Sequence, residues 1–147
     1  MPTVRPDFIN VDLSVASRAN LEPLVAALAR HTLLLASYRL RGRHHVRFEL
    51  NRQPTNAQQG IRAFAQLVRT LPQTARRLWN SARSRDFDIG IEVPRRGDAA
   101  TLELPQDVVK LASSVRGQIH FTVYASDGRG SPPNKRLKLA ATRRQTP

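Results

Sequence analysis

From Asp86 to Val93 the chain alternates without a break. Phe87, Ile89, Ile91 and Val93 take one phase, and Asp86, Asp88, Gly90 and Glu92 take the other. Successive side chains of an extended chain point to opposite faces, so a period of two predicts a half-buried strand in a sheet with one wet face. The same period appears in Phe8 to Val15, where Ile9, Val11, Leu13 and Val15 oppose Asn10, Asp12 and Ser14. It returns near the end, with Ile119, Phe121, Val123 and Ala125 opposing His120, Thr122 and Tyr124. Leu33 to Arg41 and His44 to Asn51 flank Gly42-Arg43 and read as a hairpin with Val46, Phe48 and Leu50 turned inward.

Between these strands the period lengthens to that of a helix. Asn20 can cap a segment carrying Glu22 and Pro23 in its first turn and Leu21, Leu24, Val25 and Leu28 on one face. Thr55 to Gln58 has capping-box spacing, ahead of a stripe of Ile61, Phe64, Ala65, Val68 and Leu71. Pro72 interrupts that helix, and a second piece carries Ala75, Leu78 and Trp79. After a turn at Pro94 to Asp98, Thr101 to Leu104 reads as a short strand. Pro105 then opens a helix with Val108, Leu111, Ala112 and Val115 inward and Gly117 as its C-terminal cap. The order is β-α-β-β-α-β-β-α-β. It predicts an α+β fold, with a single layer of helices on a mostly antiparallel sheet, because each strand has one polar face.

Residues 1–127 therefore read as one globular α+β domain. Gly128 begins a breaker-rich stretch, and residues 128–147 hold six basic residues and no acid, which predicts a disordered basic tail. The chain has no cysteine, so disulfides, thiolate metal sites and cysteine nucleophiles are excluded. Its N-terminus runs into a half-polar strand rather than an apolar run, and Leu24 to Ala29 is the longest apolar stretch. These features predict no signal peptide, no membrane partner and a cytoplasmic location.

The formal net charge of +13 directs attention to where the charge clusters. All but three of the 24 basic residues (Lys110, Lys135 and Lys138) are arginine, a bias that GC-rich coding produces whatever the function. Between Leu50 and Arg85 there are seven arginines and no acid. Arg62, Arg69, Arg76 and Arg83 recur every seven residues, and with Arg77 they form the candidate binding surface, a ridge for phosphate or an acidic protein surface. The same residues also read as a solvated helix face, and Pro72 would bend the ridge.

Asp86 to Asp107 holds six acids against Arg95 and Arg96, and its strand could pair with Arg39, Arg41 or Arg47. Asp86, Asp88 and Glu92 share a face, but strand spacing spreads them over roughly 20 Å, too far for one cation. The four histidines lack metal-ligand spacing, and no nucleophile elbow or glycine-rich phosphate loop occurs, so neither metal nor cofactor is expected. His120, Thr122 and Tyr124 form a polar patch on the solvent side of the last strand, where a general base could sit. Phe48, Phe87 and Phe121 lie on the apolar phase and read as core, leaving Tyr38 and Tyr124 as the aromatics available to stack bases.

Pro133-Asn-Lys-Arg-Leu-Lys138 resembles a short nuclear-import signal. Ser131-Pro-Pro-Asn-Lys-Arg-Leu-Lys-Leu-Ala resembles the C-termini of proteins from mobile, integron-type gene cassettes, in which the reading frame runs into the recombination site. The body, with Phe8-Ile-Asn-Val-Asp, Arg76-Arg-Leu-Trp and Phe87-Asp-Ile-Gly-Ile, resembles small bacterial proteins of unknown function, and that resemblance implies no activity. The composition and charge favour a non-catalytic accessory or immunity-like module that binds an acidic protein surface through the arginine ridge. A sequence-independent nucleic-acid-binding protein and a small enzyme of unidentified type are the alternatives.

Overall fold

The computed structural model describes residues 5–94 and 99–126. The expected basic tail lies outside them, as does most of the turn at Pro94 to Asp98. In chain order the elements are β1 (Asp7–Ser17), α1 (Glu22–Leu28), β2 (Thr32–Leu40), β3 (Arg43–Leu50), α2 (Ala57–Arg69), α3 (Gln73–Ser81), β4 (Ser84–Pro94), α4 (Gln106–Ser114) and β5 (Gln118–Ser126). The fold is α+β, and the five strands form one sheet in the order β2-β3-β1-β4-β5. The longest strands, β1 and β4, lie side by side, and β2 and β5 are the edges.

Three neighbouring pairs are antiparallel, but β5 runs parallel to β4, so the sheet is mixed. Helical crossovers cause this. A helix lying back across a sheet returns the chain to the end from which it came, so the next strand must run the same way as the last. The α4 crossover does this for β4 and β5. Alternation within a strand reports which face is buried and carries no information about direction.

Buried side chains of one phase of β1, β3 and β4 join those of all four helices in a single core. Trp79, Phe48, Phe64 and Phe87 are its largest fully buried members. Pro72 does break the helical segment, and α2 ends at Arg69 while α3 begins at Gln73. The cap of α2 falls one residue later than the spacing suggests: Asn56 Oδ1 accepts from the Gln59 amide at 2.9 Å, and Gln59 Oε1 accepts from the Thr55 amide and hydroxyl. The hairpin turn falls one residue earlier, at Arg41 and Gly42, both at positive φ (50° and 75°), as a two-residue turn between twisted strands requires.

Thr101 to Leu104 is not a strand. Leu102 and Leu104 pack against the core, and that contact produces their alternation, while both edges of β4 are already taken by β1 and β5. The C-terminus of α4 is closed by Arg116 in the left-handed region (φ 62°), with the Arg116 and Gly117 amides donating to Ser113 and Ala112. Gly117 is needed for space rather than for φ, because a Cβ there would lie 2.3 Å from Phe87 Cε2. Phe48 and Phe87 are buried as expected, but Phe121 is 48% exposed. It follows the apolar phase of β5 beyond the reach of the helix layer.

Candidate functional site

The polar phases of the strands meet on the face opposite the helices. Register brings together Asn10, Asp12 and Ser14 of β1, His45, Arg47 and Glu49 of β3, Asp86 and Asp88 of β4, and His120, Thr122 and Tyr124 of β5. Among the described residues none of the four helices packs there, since their buried apolar residues belong to the core on the other side. Asp12 is only 4% exposed, and Asn10 and Glu49 beside it are buried as well.

Arg47 organises the cluster. Its Nε donates to Asp12 Oδ2 at 2.7 Å, and its Nη2 donates to Asp88 Oδ2 at 3.1 Å. Arg47 is on β3 and Asp88 on β4, so the guanidinium reaches over β1 to join three strands. A planar fork on a long stem can hold two carboxylates in this way, whereas a lysine ammonium offers a single point of charge. The network extends further: Thr122 Oγ1 donates to Asp88 Oδ1 at 2.7 Å, and Asn10 Nδ2 donates to Asp12 Oδ1 at 2.8 Å. Gly90 makes room for Asn10, because a Cβ at that position would lie 2.4 Å from Asn10 Oδ1. At the margins Gln53 holds Glu49, and the Tyr38 and His45 rings stack with centroids 4.9 Å apart.

A buried carboxylate, Asp12, and a partly buried one, Asp88, share one cation here, and the imbalance shows in the protonation of Asp12. Burial pushes the Asp12 carboxyl up from 3.8 to about 6, against the pull of Arg47 and with help from Glu49 and Asp88. Burial also raises the Tyr124 hydroxyl, with Asp88 adding to the effect and Arg47 opposing it. The folded chain thus holds the Asp12 proton more tightly than the unfolded chain does. Stability should therefore fall as pH rises from about 4 to about 6, by up to roughly 3 kcal/mol. Urea titrations of the wild type and Asp12→Asn across this range check it: the part of the slope due to Asp12 disappears in the variant.

Asp86 Oδ1 lies 3.4 Å from His120 Nε2, close enough for attraction when the ring is protonated but without hydrogen-bond alignment. In register Asp86 lies between Ser14 of β1 and Gln118 of β5, and His120 stands two residues further on, opposite Asp88. A carboxylate placed between hydroxyl and imidazole is not the order of an acyl-transfer relay, which needs the imidazole between the other two. Among the described residues no group of three or more His, Asp or Glu side chains is arranged to hold a metal ion. A separate cleft of about 360 Å³ opens beside α2, walled by Leu50, Pro54, Ala63 and Leu67 with Arg52 and His31.

Of the five arginines of the expected ridge, Arg62 and Arg69 lie on α2, Arg76 and Arg77 on α3, and Arg83 between α3 and β4. Arg62 forms an ion pair with Asp107 of α4 and holds that carboxyl below its ordinary range. Arg69 Nη2 donates to Ser114 Oγ of the same helix at 3.4 Å. Arg76 folds back onto the Arg69 and Leu71 carbonyls at the end of α2, which a helix C-terminus favours. Arg77 and Arg83 are exposed, and their side chains have no polar partner among the described residues. Of the three arginines that could answer the acids of β4, Arg47 does so. Asp12 and Asn10 escaped notice in the sequence because the polar phase of a strand reads as solvated. Their only signal was an acid at the middle of a long alternating segment.

No helix among the described residues is long and apolar enough to cross a membrane. Comparison with protein-family models, with curated proteins and with solved structures gives no match.

Proposed function

We propose that this chain is a non-catalytic module that binds another protein, and that its contact surface is the polar sheet face, presented to a basic segment of the partner. The observation that carries this reading is the largely buried cluster with two carboxylates for one guanidinium, on a face that no helix covers among the described residues. Buried charge is costly, and replacing it with apolar residues often stabilises a fold, so such a cluster is weak evidence of a purely structural role. An incoming arginine or lysine would supply the missing positive charge beside Asp12, Asp88 and Glu49. It would also favour the ionised form of Asp12, which makes binding pH-dependent.

Titration of the full chain with a short arginine-rich peptide tests this. Binding should weaken as salt rises, weaken again below about pH 6, and fall roughly tenfold in Asp88→Asn. Absence of binding, or binding indifferent to Asp88→Asn, would overturn the reading.

Exposed and unpartnered Arg77 and Arg83 support a second reading, attachment of the helix side to an acidic protein surface or to nucleic acid without base readout. Heparin retention that falls in the Arg77→Glu, Arg83→Glu double variant, with no response to the basic peptide, would favour it.

A further inference from the structure

The two edges of the sheet are treated differently. An edge strand presents unpaired amides and carbonyls, and soluble proteins blunt such edges with bulges, charges or prolines. The β2 edge is blunted: its register breaks between Leu34 and Ala36, and Arg39 lies within the strand. The β5 edge is not. Its nine residues, Gln118 to Ser126, include no Lys, Arg, Asp, Glu, Pro or Gly, and they pair with β4 in unbroken register from Asp86 to Pro94.

The helix-side phase of β5 is also unfinished. Phe121 and Val123 pair with Ile89 and Ile91, which are 0% and 7% exposed, yet they are themselves 48% and 57% exposed. The core thus continues one strand beyond its cover.

We propose that β5 pairs with β5 of a second copy of this chain, antiparallel and about a two-fold axis. The edge is self-complementary, which an isologous contact requires. Charge points to a second copy as well. In a chain of net charge +13, β5 carries no formally charged side chain apart from what His120 gains on protonation, so two copies can approach here with the least repulsion. Antiparallel pairing also places the two Ser126 ends at opposite ends of the contact, roughly 30 Å apart. That distance exceeds the screening length of physiological salt, so the six basic residues following in each copy do not confront each other at their point of departure. Phe121 and Val123 of each copy would then extend one continuous apolar layer across the axis. The strand-only contact is small, so its affinity belongs in the micromolar range.

Sedimentation velocity of the full chain across the micromolar range provides the test. The wild type should shift from monomer to dimer, and Phe121→Lys with Val123→Lys should weaken that shift roughly a hundredfold or more. The β2 pair Leu34→Lys with Tyr38→Lys should leave it unchanged. A wild type that stays monomeric throughout, or a dimer lost with the β2 pair and kept with the β5 pair, overturns the proposal.

Should the β5 lysine variant fail to fold by circular dichroism, Val123→Cys in this cysteine-free chain decides instead: a short bis-maleimide links two copies if β5 meets β5, and its failure to do so overturns the pairing. Binding of the arginine-rich peptide, measured in the monomeric variant, keeps the test of the polar face separate from this one.

Discussion

Arg47→Leu is expected to cost about 3–5 kcal/mol near neutral pH, because it strands a buried carboxylate, Asp12, and a partly buried one, Asp88, without their counter-ion. Asp12 and Asp88 have side chains only 6% and 16% exposed, and both take their charged contact from this one guanidinium. Leucine replaces part of the apolar stem, so the loss reports charge more than packing. The pH dependence separates the two. Without Arg47 the burial that already raises Asp12 to about 6 acts unopposed, so protonation comes at still higher pH in the variant. A protonated Asp12 needs no counter-ion, and the deficit should shrink on going from about pH 7 to about pH 4.5. Urea unfolding of both chains at the two pH values is the measurement. An equal deficit at both would mean that the side chain matters for its packing alone. Arg47→Lys should fall between, since an ammonium can satisfy one carboxylate but not both.

That cluster also marks the limit of what the sequence discloses. The strands were legible because alternation is a local property, and Phe8 to Val15 and Asp86 to Val93 each declare a buried and a polar phase. Opposite charge made the meeting of Arg47 with the acids of β4 legible too. The burial of Asp12 was not, because it depends on β1 having a neighbour on each side, and strand order is set by crossovers many residues apart. The same non-local cause hid the direction of β5 and the exposure of Phe121, whose phase was right while the helix layer ended short of it. Thr101 to Leu104 failed for a related reason, since period two is satisfied by any extended segment lying on a core. The heptad of arginines runs across a break between two helices. A spacing of seven aligns residues only along one helix, and Pro72 turns the chain between Arg69 and Arg76, leaving Arg76 to fold back on the helix it has just left.

Trp79→Ala should be about as damaging as Arg47→Leu on the opposite side of the sheet, by about 3–5 kcal/mol and without the pH dependence. Trp79 is the largest fully buried side chain, and α3 turns it into the core beside Ala75. Its removal leaves a cavity too large for neighbouring side chains to fill without strain. It also removes a specific link: Trp79 Nε1 donates to the Val115 carbonyl at 2.8 Å, tying α3 to the end of α4 just before Arg116 turns left-handed into β5. Without that donor the Val115 carbonyl is left short of a partner in a dry site. Trp79→Phe restores part of the volume but not the donor, so it should lose about half as much, and the difference between the two variants measures the cavity. The chain has a single tryptophan, so unfolding must be followed by far-ultraviolet circular dichroism rather than by fluorescence. Domains of this size are stable by only about 5–15 kcal/mol, so Trp79→Ala is expected to melt well below the wild type at every pH where both fold. If the loss were instead confined to neutral pH, the core and the charged face would be coupled through the sheet, and the polar cluster would have to be treated as part of what holds the helices in place.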